Sequence, residues 1–243
     1  MKKFFLPLLM IATLLVAGCG QTSQSGGRPV DPQPIVKPEE KKLSAPPLEM
    51  CQFKITTKFG TMTGILYNET PIHRDNFIKL VSEEFYDGLL FHRVISGFMI
   101  QGGDPESKTA AAKATLGNGG PGYTLHAEIK PEFIHKKGAL AAARTPDFMN
   151  PERESSGSQF YIVQGKPVKQ EELDNFAAQG KPYTETQMAI YKKTGGTPFL
   201  DFEYTVFGEI IEGLDVLDAI AAVPTDSQDR PLENVVMKIE LIR

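Results

Sequence analysis

Residues 91–104 read FHRVISGFMIQGGD, which is two short apolar runs with a glycine between them and a glycine pair near the end. Further runs of the same kind follow along the chain: GALAAA, SQFYIVQ, YTVFGEII and VVMKIELI. Short apolar runs bounded by turn residues are typical of buried β-strands. The pattern predicts a mainly β domain.

The flanking sequence adds a hairpin and two helices to this prediction. Alternation in Gln52–Thr57, a turn at 58–60 and a second run at Thr61–Leu66 predict the hairpin. A helix is expected after Thr70, which we expect to cap it, with Pro71 at its first position. Another is expected over 214–222. Many strands with two helices favour a closed barrel.

The N-terminus has the pattern of an export signal. Lys2 and Lys3 precede an apolar run of about 13 residues, which is shorter than the 20 or so needed to span a bilayer. Ala17 and Gly18 before Cys19 resemble the lipobox of bacterial lipoproteins. The resemblance implies a signal peptide over 1–18, and diacylglycerol and a fatty acid such as palmitate on Cys19. It further implies a lipid-anchored protein of the bacterial cell envelope that faces the periplasm. The alternative is a plain secretory signal.

Residues 19–50 predict a flexible tether, because they contain six prolines and few large apolar residues. The folded domain is therefore expected over 51–243. The chain has a net charge of -4, so it lacks the basic excess of a nucleic-acid-binding protein. With Cys19 acylated, Cys51 has no disulfide partner, and we interpret it as an inert, partly buried residue.

Three blocks carry a family resemblance: FHRVISGFMIQGGD (91–104), GSQFYIV (157–163) and VFGEIIEGLDVLDAI (206–220). Together they resemble the cyclophilin family of peptidyl-prolyl cis-trans isomerases, or rotamases. The resemblance implies a closed eight-stranded antiparallel β-barrel capped by two α-helices. It implies isomerisation of X-Pro bonds without cofactor or metal, by a monomer whose partners are Pro-containing unfolded or maturing proteins.

The resemblance also assigns the candidate site. Arg93 is similar to the family's catalytic arginine, whose guanidinium would donate to the prolyl nitrogen as that nitrogen becomes pyramidal. The implied substrate-binding residues line the proline pocket or hold the substrate backbone: Phe98, Met99, Gln101, Ala143, Arg144, Gln159, Tyr161, Phe199, Leu200 and Tyr204. At Ala143 and Arg144 the backbone is expected to make the contacts.

The sequence departs from the familiar family pattern at the pocket. Tyr161 stands where Phe is usual, Phe199 where many members carry Trp, and Tyr204 where many carry His. Because that Trp supports cyclosporin binding in sensitive members, we expect weak binding of the drug. The chain has no Trp at all.

A segment at about 165–196 is an insertion relative to the family pattern. Helices are predicted within it at 170–179 and 184–193, the second ended by Gly195 and Gly196. The segment is either a flap or partner surface near the cleft, or a packed excursion without function.

Other motifs predict no chemistry. Residues 117–122 satisfy GxGxxG, but no strand precedes them and no helix follows, so we interpret them as a loop. The four histidines show no metal-binding spacing. The isomerase hypothesis has one rival, a chaperone-like module that binds Pro-containing segments with little turnover.

Overall fold

The computed structural model describes residues 50–111 and 114–242. The predicted signal peptide, Cys19 and nearly all of the predicted tether lie outside the described residues. The described part contains ten strands, four α-helices and two 3-10 helices. No helix in these ranges is both long enough and apolar enough to cross a membrane.

The strands supply most of the fold. They are β1 (Gln52–Thr57), β2 (Gly60–Leu66), β3 (Arg93–Ile95), β4 (Met99–Gly102), β5 (Thr124–Leu125), β6 (Ala139–Ala142), β7 (Ser155–Ser156), β8 (Phe160–Val163), β9 (Val206–Glu212) and β10 (Lys238–Ile242). Eight of them form one antiparallel sheet in the order β10-β1-β2-β9-β6-β8-β4-β3, while β5 pairs with β7. The fold is therefore mainly β, as predicted.

The sheet is an open half-barrel, so the prediction of a closed barrel was wrong. Within the described residues no ladder joins β3 to β10. The gap is bordered by the irregular segment 224–237, which meets residues 88–94 through scattered backbone hydrogen bonds and an isolated bridge from Val236 to Leu90 rather than through a ladder. Pro231 has no N–H to donate, and Asp229 has a left-handed φ of 62°. A regular strand cannot run through such a segment.

The helices are α1 (Pro71–Ser82), α2 (Gln170–Ala178), α3 (Glu185–Thr194) and α4 (Leu214–Ala221), with 3-10 helices at Pro105–Thr109 and Pro198–Leu200. Helix α1 packs on β9 and β10, and α4 packs on β2, β3 and β4. These are the two predicted flanking helices, and α2 and α3 are the two predicted in the insertion.

The start of α1 differs from its prediction. Thr70 is at the N-cap position, but its side chain makes no capping hydrogen bond. The carboxylate of Glu128 instead accepts hydrogen bonds from the backbone N–H groups of Ile72 and His73, at 3.1 and 2.9 Å. A side chain from a distant loop thus satisfies the free amides of the first turn.

Alternation within the strands separates two apolar clusters on the two faces of the sheet. In β4, Ile100 belongs to the main core with α1 and α4, whereas Met99 belongs to the second cluster. In β8, Phe160 faces the main core and Tyr161 faces the second cluster. Successive side chains of a strand point to opposite faces, so one register sets both. The second cluster lies on the outer face.

The insertion packs on the domain through a small core of its own. Leu173 of α2 and Tyr191 of α3 are fully buried with Ile134 and Val168. Helix α3 begins with a capping box between Thr184 and Gln187, and it ends at Gly195, which has a φ of 78°.

Candidate functional site

A row of side chains crosses five neighbouring strands on the outer face of the sheet. Arg93 of β3 lies opposite Gln101 of β4, and Gln101 lies opposite Tyr161 of β8. Tyr161 in turn lies opposite Ala141 of β6, which lies opposite Val206 of β9. Directly opposed residues share a face. The register therefore places a cation, an amide and an aromatic ring side by side.

A cavity of about 160 Å³ opens over this row. Its lining comprises two guanidinium groups, an amide and a mainly apolar wall: Arg93, Phe98, Met99, Gln101, Ala143, Arg144, Tyr161, Leu200 and Tyr204. All nine are among the candidate site residues identified from the sequence. The remaining two lie beside the cavity, as the Phe199 ring packs at a tilt of 42° against Phe98 with ring centroids 5.5 Å apart and Gln159 contacts Gln101.

Two further cavities adjoin the first. One of about 540 Å³ is bordered by Gln159 and the loop at 117–124, and one of about 220 Å³ is bordered by His92 and Arg230. Gln101 lines all three cavities. The site is thus a groove with a central pocket, which suits an extended chain.

Arg93 is held loosely at the groove. Its Nε lies 3.5 Å from Oδ2 of Asp229, and both side chains are more than two-fifths exposed. Gln101 is held more firmly, because its Nε2 donates to Oε1 of Gln159 at 3.0 Å. Nε2 of Gln159 donates to the Gly119 carbonyl at 2.7 Å. The amide chain fixes Gln101, whereas the guanidinium keeps donors for a ligand.

The floor of the pocket is the ring of Tyr161, whose hydroxyl points into the protein interior. The hydroxyl oxygen lies 2.9 Å from Nε2 of His135, a fully buried residue. Burial raises the pKa of Tyr161 well above its usual value, so the phenol stays protonated. The hydroxyl that Tyr161 has, and that the usual Phe would lack, therefore does not add a polar group to the pocket.

Arg144 contributes a flat wall on the other side. Its guanidinium carbon lies 4.5 Å from the centre of the Tyr204 ring, a cation–π geometry, and its Nε donates to the Glu203 carbonyl at 3.1 Å. At Ala143, the backbone N–H donates to the Gln159 carbonyl and the C=O accepts from Ser156. Ala143 therefore already uses both backbone groups within the chain.

The loop with the GxGxxG pattern is tied to the end of the first sequence block. The buried carboxylate of Asp104 accepts from the N–H groups of Gly117 and Gly119, at 2.5 and 3.3 Å. The described part of the loop, 114–123, forms no helix. Among the described residues, no three His, Cys, Asp or Glu side chains are grouped to hold a metal ion.

Sequence reasoning missed His135 and Asp201 as partners of the pocket floor. Oδ1 of Asp201 lies 2.8 Å from Nδ1 of His135, and both side chains are buried. Asp201 directly follows the pocket residue Leu200 in the chain. A buried hydroxyl at position 161 needs a polar partner, which was the available signal.

Comparison with known proteins gives a consistent match. The family model described as cyclophilin type peptidyl-prolyl cis-trans isomerase/CLD matches residues 52–240. A candidate peptidyl-prolyl cis-trans isomerase of Staphylococcus saprophyticus is 36% identical over 188 residues, covering 76% of this chain and 89% of that protein. One from Staphylococcus aureus is 38% identical over 183 residues, covering 75% and 86%.

A streptococcal relative is longer. A candidate bifunctional phosphatase/peptidyl-prolyl cis-trans isomerase of Streptococcus pyogenes is 34% identical over 209 residues, covering 82% of this chain but 41% of that protein. This chain thus spans less than half of that relative.

Solved structures share the fold. A cyclophilin type peptidyl-prolyl cis-trans isomerase of Cryptosporidium parvum is 24% identical, with a TM-score of 0.60, covering 80% of this chain and 98% of that one. A structure of the same parasite protein in the presence of the dipeptide Ala-Pro is 25% identical, with a TM-score of 0.58, covering 79% and 99%.

Proposed function

The chain belongs to the cyclophilin-type peptidyl-prolyl cis-trans isomerase family and is a peptidyl-prolyl cis-trans isomerase, and from this we propose that Arg93 is its catalytic group and that the 160 Å³ cavity holds the proline ring. The register that places Arg93, Gln101 and Tyr161 in one row carries the proposal.

The reaction requires only rotation about one bond. Amide resonance sets a barrier of about 18–20 kcal/mol, so uncatalysed X-Pro isomerisation takes tens to hundreds of seconds. In the twisted transition state the prolyl nitrogen becomes pyramidal and regains its lone pair. A donor aimed at that lone pair stabilises the twisted state more than either planar state, which lowers the barrier.

Arg93 is suited to this role by charge and position. Its guanidinium is always protonated and has several N–H donors. One long contact to Asp229 leaves donors free for the substrate. Because Arg93 lines the same cavity as Met99 and Tyr161, a proline ring in that cavity would have its nitrogen near the guanidinium.

The rest of the groove would hold the flanking peptide. Gln101, fixed by Gln159, is placed to bind the substrate backbone beside the proline. The neighbouring cavity at the 117–124 loop would receive residues further along the peptide. The solved relative in the presence of Ala-Pro supports an Ala-Pro peptide as the probe.

An isomerisation assay separates catalysis from binding alone. The protein is mixed with an Ala-Pro peptide, and cis–trans exchange is followed by NMR together with peptide binding. We expect the exchange rate to rise in proportion to protein concentration. Binding without faster exchange would contradict the proposal and favour the chaperone-like module.

We also propose that the chain is a lipoprotein that assists the folding of exported proteins at a membrane surface. The support is the sequence of residues 1–19, which has a basic start, a short apolar run and a lipobox-like end. In a bacterial host, Cys19→Ala should release the protein into the soluble fraction and abolish palmitate labelling, whereas Cys51→Ala should change neither. Labelling that persists in Cys19→Ala would contradict this proposal.

A further inference from the structure

Four buried side chains form a hydrogen-bonded chain that joins the insertion to the floor of the pocket. The hydroxyl of Tyr191 in α3 donates to Oδ2 of Asp201 at 2.5 Å. Oδ1 of Asp201 accepts from the backbone N–H of His135 at 2.7 Å and lies 2.8 Å from its Nδ1. Nε2 of His135 lies 2.9 Å from the Tyr161 hydroxyl.

The hydrogen-bonded chain has one consistent arrangement of protons when the imidazole of His135 is neutral. Nδ1 of His135 carries the proton and donates to Asp201, since a carboxylate can only accept. Nε2 is then an acceptor, so the hydroxyl of Tyr161 donates to it. At the other end the hydroxyl of Tyr191 donates to Asp201. Burial raises the pKa of both phenols, which keeps these donors in place.

Water has little access to this chain. Tyr191, Asp201 and His135 are fully buried, and Tyr161 is almost so. A buried carboxylate is costly unless its oxygens accept hydrogen bonds, and here each of them does. Moving the Tyr191 hydroxyl would therefore disturb the whole hydrogen-bonded chain.

The insertion holds Tyr191 in place. Leu173, Val168 and Ile134 pack around its ring. Nε2 of Gln187, within the capping box of α3, donates to the Pro131 carbonyl at 2.8 Å. Helix α3 is thus anchored both at its first turn and at its buried face.

The hydrogen-bonded chain also reaches the wall of the pocket. Asp201 follows directly after the 3-10 helix at Pro198–Leu200, which carries Leu200 and Phe199. The backbone N–H of Asp201 donates to the Pro198 carbonyl at 3.2 Å. Fixing the Asp201 carboxylate therefore fixes the short helix, as well as the Tyr161 ring through His135.

We propose that the insertion positions the proline pocket, with Tyr191, Asp201 and His135 as positioning residues that hold the Tyr161 ring and the 198–200 helix in their binding geometry. This inference rests on the proposed function. It assigns the insertion a role in the efficiency of catalysis, although none of its residues lines the central cavity.

A double-mutant cycle tests the coupling. The variants are Tyr191→Phe, Tyr161→Phe and the double variant, each measured for kcat/KM on an Ala-Pro peptide. Side chains that relay position change function by about twofold to thirtyfold, so we expect Tyr191→Phe to lower kcat/KM by about threefold to tenfold. In the Tyr161→Phe background the link from His135 to the pocket floor is already cut and only the link through Asp201 to the 198–200 helix remains, so Tyr191→Phe should lower kcat/KM by a clearly smaller factor than in the wild type.

The matched control is Tyr67→Phe. Tyr67 is also a buried tyrosine packed in the second cluster, but its hydroxyl pairs with Glu209 rather than with the chain. We expect its kcat/KM to remain within about twofold of the wild type, the limit set for an uncoupled site.

NMR spectroscopy reports on the hydrogen-bonded chain directly. The ¹⁵N resonance of His135 Nε2 should move in Tyr161→Phe and in Tyr191→Phe, and it should stay in place in Tyr67→Phe. Should Tyr191→Phe fail to fold, Leu173→Val, which loosens the packing around Tyr191, replaces it in the cycle with the same expected pattern.

The outcomes are distinguishable. An equal loss of kcat/KM in both backgrounds, no loss in either, or an unmoved His135 resonance would overturn the inference while wild-type activity supports the proposed function. An inactive wild type would overturn the proposed function, and the inference with it.

Discussion

Arg93 and Asp229 form a long, half-exposed ion pair at the edge of the groove, with Nε and Oδ2 3.5 Å apart. Exposed pairs contribute about 0–1 kcal/mol to stability. Asp229 has a left-handed φ of 62°, a conformation that Asn tolerates well. Asp229→Asn therefore removes the charge without disturbing the backbone.

We predict that Asp229→Asn changes kcat/KM by less than about twofold and stability by less than about 1 kcal/mol. The measurements are the peptide isomerisation assay and urea unfolding. A loss of kcat/KM beyond tenfold would show instead that Asp229 orients the guanidinium of Arg93.

His92 makes stability depend on pH. Burial is the main cause that lowers its pKa to about 4, from an ordinary value of 6.5. The unfolded chain therefore binds a proton between pH 6.5 and 4 that the folded chain does not bind. The stabilisation that comes from a neutral His92 in the folded protein is fully present above pH 6.5 and is lost as the pH falls from 6.5 towards 4.

We predict that His92 contributes about 2 kcal/mol to the loss of stability between pH 7 and pH 5, as linkage gives for this shift. In urea unfolding at the two pH values, the free energy of unfolding should fall by about 2 kcal/mol less in His92→Gln than in the wild type. His126→Gln, at a histidine whose side chain is 85% exposed, is the control and should behave as the wild type. An identical pH dependence in His92→Gln and the wild type would refute this prediction.

Glu128 stabilises the start of α1 from outside the helix. Its carboxylate accepts from two backbone N–H groups and lies 2.7 Å from Nδ1 of His73. Loss of a helix cap costs about 0.5–2 kcal/mol, so we predict a loss of about 2 kcal/mol in Glu128→Ala. Thermal unfolding of both variants measures this loss of stability. Glu132→Ala, at an exposed residue of the same loop, should lose less than about 0.5 kcal/mol of stability in that measurement. Equal losses in the two variants would contradict the capping role.

Phe199 determines the predicted response to cyclosporin. The residue is 49% exposed, and its ring packs at a tilt against Phe98, which lines the pocket. A tryptophan here adds an indole N–H donor at the rim, and one hydrogen bond contributes about 1 kcal/mol. We predict weak inhibition of the wild type, and about fivefold tighter inhibition of Phe199→Trp with similar peptide turnover.

Phe148→Trp controls for a general effect of an added indole, since Phe148 is 85% exposed and lines none of the groove cavities. Its inhibition constant should equal that of the wild type. Submicromolar inhibition of the wild type, or no change in Phe199→Trp, would contradict the prediction.

The sequence allowed the prediction of most strands and all four helices, because their signals are local. The alternation of Gln52–Thr57 and the proline at position 71 act within a few residues. The open edge between β3 and β10 was not predictable in this way. Pro231 is visible in the sequence, but how the irregular 224–237 segment runs beside Leu90 depends on tertiary contacts that no local pattern encodes.

The site was predictable to the extent that its residues lie in the matched blocks. The blocks name Arg93, Gln101 and Tyr161, but only the strand register shows that they form one row. The hydroxyl of Tyr161 indicated that a polar partner was needed, but the identities of the partners His135 and Glu128 were not predictable, since each acts on a residue more than 25 positions away in the chain. Such contacts depend on the tertiary fold.

The most direct test of the account is kcat/KM for an Ala-Pro peptide in Arg93→Ala, with Arg74→Ala as a control arginine on α1. Removing a donor that stabilises a transition state costs about 100-fold to 1,000-fold in rate. We predict a loss of that size in Arg93→Ala, with unfolding as in the wild type, and less than twofold or so in Arg74→Ala. A folded Arg93→Ala that retains kcat/KM within tenfold of the wild type would contradict the central claim.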